Sequence, residues 1–322
     1  MGQVIHNLKR IENETDLFLI AAISFIVTGC TNNDSPVVNQ ERVVTFGVSM
    51  PEPVQTRAYY EGNGQTPEGL KMTWEAGDVL KLNFVYNETN YAADATIVDS
   101  SINGSKASFT TTIPSEIPEG ATFTIYAVFK HGKGSFNENG YYEAIDDYTN
   151  VTLDVEGRKI SPLVYAVVKD VKEVPSFALK HAGWVLAMTF VNESKEDAVL
   201  STISLVQDSK HWIYNGNNSS KPWTFNPLTG KGTDYPTNGH SGVGQHIQIS
   251  QIADIYEKVT ISSSITVYQW VCSDEDPGSY LHISAYIGDW VTAWSVPEAT
   301  VKPGNAYHMT VSWNGEELTY VK

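Results

Sequence analysis

In residues 122–129, Phe123, Ile125, Ala127 and Phe129 fall on one side of an extended chain, while Thr122, Thr124 and Tyr126 fall on the other. A period of two residues is that of a β-strand with one covered face, and no helix can present it. The same period recurs in residues 79–84, where Leu80, Leu82 and Phe84 oppose Lys81 and Asn83. It returns at Leu281, Ile283, Ala285 and Ile287, and at Met309, Val311 and Trp313. Further strands are expected at residues 41–48, 92–98, 107–112, 163–168, 183–191, 199–206, 265–271 and 291–296. The chain carries 24 Gly and 14 Pro, enough to punctuate many short strands with turns. Asn314-Gly315 predicts a two-residue hairpin, after which Leu318 and Tyr320 point inward. Residues 250–257 are expected to form one short helix. With no βαβ alternation, heptad or solenoid-length repeat, the pattern predicts an all-β chain of two β-sandwiches in tandem.

The amino terminus reads differently. Residues 17–27 form an apolar stretch well short of the ~20 residues a membrane-spanning helix needs. Lys9 and Arg10 precede it, with Glu12, Glu14 and Asp16 between, an unusual place for acids in an export signal. The stretch runs into Val27-Thr28-Gly29-Cys30, which resembles the lipobox of bacterial lipoproteins. That resemblance implies a diacylglycerol on the Cys30 thiol and cleavage that makes Cys30 the first residue. Acyl chains then hold the protein at a membrane, each buried CH₂ contributing ~0.8 kcal/mol. Residues 1–29 are thus expected to be a lipoprotein signal peptide and residues 30–40 a tether. A β-sandwich over 41–175 and a second over 176–322 follow, divided at the charged, proline-ended stretch 169–175. Residues 207–246, rich in Gly, Asn, Ser, Pro and Trp, read as long loops.

Four local patterns resemble the fimbrillin family, the lipoprotein subunits of type V pili and their surface relatives. The first is Thr56-Arg57-Ala58 followed, after a Gly-rich loop, by Thr73-Trp74-Glu75-Ala76-Gly77-Asp78. The second is the strand of residues 123–129. Phe177-Ala178-Leu179-Lys180-His181-Ala182 and Val301-Lys302-Pro303-Gly304-Asn305-Ala306-Tyr307 are the third and fourth. The resemblance implies two transthyretin-like sandwiches and a cell-surface, outer-membrane location as a structural or adhesive subunit, joined to a pilus if processed. It implies assembly by strand exchange, with residues 41–48 lost after a cut at Arg57 and a neighbour's strand in their place. Leu318 and Tyr320 mark the candidate donor strand. Partners would be the membrane, other pilus subunits or a second copy, and a host or bacterial surface ligand.

Other chemistry is sparse. The formal net charge of −16 repels nucleic acid. With Cys30 lipidated, Cys272 has no intramolecular partner and is expected as a small core residue. No GxGxxG, phosphate-binding loop or GxSxG turn is present. His240 and His246 lack a strong zinc spacing, and Asp274, Glu275 and Asp276 lack the alternation of a calcium loop. No enzyme activity, cofactor or metal is expected. The competing reading is a monomeric outer-membrane lipoprotein that binds glycans through Trp212 and Trp223 in the loop-rich span. Trp290 and Trp294, four apart in a strand, share a face and are expected in a core or interface.

Overall fold

The computed structural model describes residues 41–51, 56–57, 72–130, 133–145, 162–200, 202–207, 212–214, 223–233, 245–248, 259–273, 282–294 and 303–321. Cys30, the tether and the helix expected at 250–257 lie outside them. Among the described residues the sole helical element is a single 3₁₀ turn, Asp99–Ser101. The strands of the amino-terminal half are β1 (Arg42–Ser49), β2 (Thr56–Arg57), β3 (Val79–Tyr86), β4 (Thr89–Ile97), β5 (Lys106–Ile113), β6 (Phe123–Phe129), β7 (Lys133–Phe136), β8 (Tyr142–Ile145), β9 (Val164–Val171), β10 (Phe177–Ala178) and β11 (Lys180–His181). Those that follow are β12 (Trp184–Asn192), β13 (Ala198–Leu200), β14 (Thr202–Gln207), β15 (Trp212–Tyr214), β16 (Trp223–Asn226), β17 (Lys231–Thr233), β18 (Gln245–Gln248), β19 (Val259–Ile261), β20 (Ser264–Ser273), β21 (His282–Ile287), β22 (Asp289–Trp294), β23 (Ala306–Trp313) and β24 (Leu318–Val321). The chain is all-β, as its periodicity requires.

An eight-stranded sheet runs β10-β1-β5-β4-β3-β6-β9-β11. Its inward residues, among them Phe46, Leu80, Leu82, Phe84, Phe109, Phe123, Ile125 and Phe129, form one buried cluster with Trp74. Trp74 packs edge-on against Phe109 of β5 at 4.7 Å and against Phe129 of β6 at 4.8 Å. These strands are separated by β4 and β3, so the sheet curls around the indole instead of lying flat. Its two ends also meet. β10 pairs with β1 at one edge and β11 with β9 at the other, yet Leu179 alone separates β10 from β11. A chain advances at most ~3.6 Å per residue, so residues 177–181 stitch the two edges together. The first sandwich is one sheet folded back on itself.

The carboxy-terminal half centres on the sheet β15-β20-β12-β23-β2, with β24 also on β23, and on the sheet β18-β14-β21-β22. Met188, Phe190, Ile203, Ile265, Ile283, Met309, Val311, Trp313 and Leu318 fill its core. A third cluster draws Val128, Tyr142, Leu163 and Tyr165 together with Phe225, Trp270 and Cys272. Cys272 is fully buried, its thiol 3.4 Å from the Ala182 carbonyl. From Asn39 to Lys322 the chain forms one compact unit.

Two expectations need correction. The two-residue hairpin lies between β3 and β4, where Asn87 and Glu88 both have positive φ (48° and 61°) and Tyr86 pairs with Thr89. At Asn314-Gly315 the loop takes four residues, because Trp313 pairs with Leu318 and the Asn314 side-chain oxygen accepts from the Glu316 and Glu317 amides. A shift of two residues keeps side-chain parity, so Leu318 and Tyr320 still face the core. Residues 207–246 are not only loops. β16 and β17 form a hairpin that extends β8 and β7 into a four-stranded sheet.

Candidate functional site

β1 alternates as the sequence RVVTFGVS dictates: Phe46 and Val48 are buried and Val44 packs half-buried beside them, while Val43 and Thr45 face out. It pairs antiparallel with β5 along its whole length, Arg42 opposite Ile113 and Ser49 opposite Lys106. Phe46 stands across from Phe109 and lies 5.6 Å from the Phe177 ring. At the start of the strand the Arg42 guanidinium donates to the Ile117 carbonyl (2.7 Å).

The other edge of β1 is covered unevenly. β10 pairs with it in parallel only at Val48 and Ser49. Around that contact the Gly47 amide donates to Ser176 Oγ (3.1 Å) and the Leu179 amide to the Ser49 carbonyl (2.9 Å), while on the β5 side the Met50 amide donates to the Ser105 carbonyl (2.7 Å). Among the described residues, no strand pairs with that edge from Arg42 to Gly47. β1 is therefore a near-edge strand, clasped at its carboxy-terminal end and open at its amino-terminal end.

Arg57 does not sit in an open loop. Thr56 and Arg57 form β2, paired in parallel with Ala306 and Tyr307. β23 thus shares one edge between β2 at its start and β24, which pairs with Thr310–Trp313. Leu318 and Tyr320 complete this sheet, Leu318 being 6 % exposed.

The aromatic candidates are not brought into one sheet. Trp212 lies in β15 beside β20 and Trp223 in β16 beside β8, strands instead of loops. Trp290 is not in a core: it is 55 % exposed, its ring edge-on to Tyr286 at 5.5 Å across the β21–β22 hairpin.

Two histidines are held neutral. Burial pushes His181 of β11 down to about 4 and lowers His308 of β23. His308 Nε2 lies 2.7 Å from Thr189 Oγ1, which in turn lies 2.7 Å from Thr266 Oγ1. Among the described residues there is no group of three or more His, Cys, Asp or Glu able to hold a metal ion, and no helix long and apolar enough to cross a membrane. His240, Asp274, Glu275 and Asp276 lie outside the described residues, as does the side chain of His246.

No family model and no curated protein matches this sequence. The chain is similar to several solved structures. One is a candidate cell adhesion protein from Bacteroides uniformis, 16% identical, with 77% of this chain and 91% of that one covered and a TM-score of 0.45. A second, from Bacteroides ovatus, is 14% identical over 88% of this chain and 96% of that one, with a TM-score of 0.46. The fimbrial anchor protein Mfa2 from Porphyromonas gingivalis is 9% identical over 86% and 96%, with a TM-score of 0.39.

Proposed function

We propose that this chain is a fimbrillin-like cell-surface lipoprotein, anchored through Cys30, that serves as a structural or adhesive pilus subunit by strand exchange. The observation that carries the reading is the state of β1. It contributes Phe46 and Val48 to the core, pairs with one long neighbour, and is followed after residues 50–56 by Arg57. Removing it would expose the outer edge of β5 and an apolar groove over Phe109, which a strand of like pattern would refill. The lipid anchor and the cut at Arg57 rest on the sequence resemblance.

Limited digestion of the full chain with an Arg-specific protease, followed by intact mass and size exclusion, tests this reading. Cutting after Arg57 followed by SDS-resistant oligomers is expected. A nicked chain that stays monomeric when mixed with a synthetic strand of residues 41–49 carrying a label, and does not incorporate it, would remove strand exchange.

A glycan-binding surface protein is the second reading, and the exposed Trp290, edge-on to the half-buried Tyr286, supports it. An exposed indole offers an apolar face to a sugar ring. Trp290→Ala should then abolish any glycan-array signal while leaving the thermal midpoint unchanged.

A further inference from the structure

Asn-Gly occurs six times in the chain, and three of these pairs lie among the described residues: Asn103-Gly104, Asn139-Gly140 and Asn314-Gly315. Such a pair carries chemistry of its own. The glycine amide nitrogen can attack the asparagine side-chain carbonyl, because the glycine has no side chain to obstruct the approach. Whether it does so depends on what else holds that nitrogen and that carbonyl.

The three turns differ on this point. Asn103 and Lys106 exchange both backbone hydrogen bonds (2.8 and 3.1 Å), and the Gly104 carbonyl accepts from the amide of buried Trp74 (2.9 Å), so the Asn103–Gly104 peptide is pinned on both sides. Gly140 is buried, and its amide already donates to the Asn137 carbonyl (3.0 Å). Asn314 and Gly315 are exposed, and among the described residues neither the Gly315 amide nor the Asn314 backbone carbonyl has a hydrogen-bond partner. The Asn314 side-chain oxygen, by contrast, accepts from the Glu316 and Glu317 amides, both at 2.8 Å. Two backbone donors on one carbonyl oxygen stabilise the negative charge it gains when a nucleophile adds to its carbon. The third turn thus combines an uncommitted nucleophile with an activated carbonyl.

We propose that Asn314 is a self-modifying site, converted to aspartate and isoaspartate by Gly315 and water. The Gly315 nitrogen bonds to the Asn314 side-chain carbon, and the side-chain nitrogen leaves as ammonia with the proton given up by the Gly315 amide. Water then opens the cyclic imide at either carbonyl, and no oxidant or reductant is needed. Either product sets a new carboxylate beside Glu316 and Glu317, and isoaspartate also lengthens the loop backbone by one carbon. This loop joins β23 to β24, so the change loosens the strand that seats Leu318 in the core. The modification depends on neither lipidation nor strand exchange.

Ageing of the full chain at pH 8, followed by peptide mapping that separates the aspartyl and isoaspartyl forms, tests it against free peptides spanning each pair. Asn314 is expected to convert in the folded chain at least as fast as in its peptide. Asn103 and Asn139 should convert at least about ten-fold more slowly than in theirs, because their turns must first open. Amide exchange in residues 318–321 should quicken as the product accumulates. An Asn314 slowed by folding as much as Asn103 and Asn139 overturns the site, and unaltered exchange in residues 318–321 overturns the loosening of β24.

Discussion

Arg57 lies directly alongside Tyr307, in parallel register on β23. A protease needs its substrate extended and unpaired, so β2 must lift from this edge before the bond after Arg57 can enter an active site. Losing a short pairing of this kind costs on the order of 1 kcal/mol or more, and cleavage follows the detached population. An Arg-specific protease should cut the folded chain roughly ten-fold more slowly than a free peptide of residues 51–62. Equal rates would show that the pairing gives no protection.

β1 is part of the core on one face and open to water on the other. Phe46→Ala removes a ring that is 4 % exposed and packs against Phe109 and Phe177. It should cost about 3 kcal/mol in urea unfolding. Val43→Ala, at a position 68 % exposed, should change stability by less than about 0.5 kcal/mol. Similar losses at both positions would mean that β1 does not pack as described.

Stability should fall on acidification through His181. Its folded pKa of about 4 lies below the ordinary 6.5, so between these values the unfolded chain binds the proton and the folded chain does not. The contribution is fully present above pH 6.5, declines as pH drops toward 4, and amounts to roughly 1–3 kcal/mol. His308 works in the same direction. Denaturant titrations at pH 7 and pH 4.5 should therefore show a smaller difference for His181→Gln than for the parent chain. An unchanged difference would place the acid sensitivity elsewhere.

Two asparagines, Asn83 buried and Asn90 half-buried, hold the β7–β8 turn. Asn83, fully buried, donates to Asn90 (2.8 Å), and Asn90 donates to the Glu138 carbonyl (3.0 Å). Gly140 has φ +74°, and a Cβ on it would come within 2.5 Å of the Asn90 side-chain oxygen. Gly140→Ala should destabilise by about 2 kcal/mol, from left-handed backbone and crowding together. Faster amide exchange in residues 137–141 should accompany it, and unaltered exchange would count against the tether.

What could be read in advance was what one strand says about its own covered face. Leu80, Leu82 and Phe84, or Met309, Val311 and Trp313, carry that signal within a few residues, and these strands formed as expected. Hidden from such reading was everything that a distant partner decides. Asn83, His308, Thr310 and Ser312 are polar and on the opposite faces, yet they are buried. For Arg57 the partner is Tyr307, far along the chain, and two residues hold no periodicity to betray a strand. Phe225 packs edge-on at 5.0 Å against Tyr165, so the short β16 has a place only once β8 and β9 exist.

The unequal ends of β1 set the order of events in any exchange. A cut after Arg57 frees the chain just beyond the clasped end, where Ser49 and Met50 keep their bonds to Leu179 and Ser105. The severed strand would then stay in its slot, and nicking alone would produce no vacancy. A replacement strand would have to enter where the Arg42 end frays from Ile113 and advance toward Ser49, displacing one pair at a time. The rate of such a replacement would depend on how well the newcomer matches the first few positions opposite Ile113 and Thr111, while its final persistence would depend on filling the places of Phe46 and Val48.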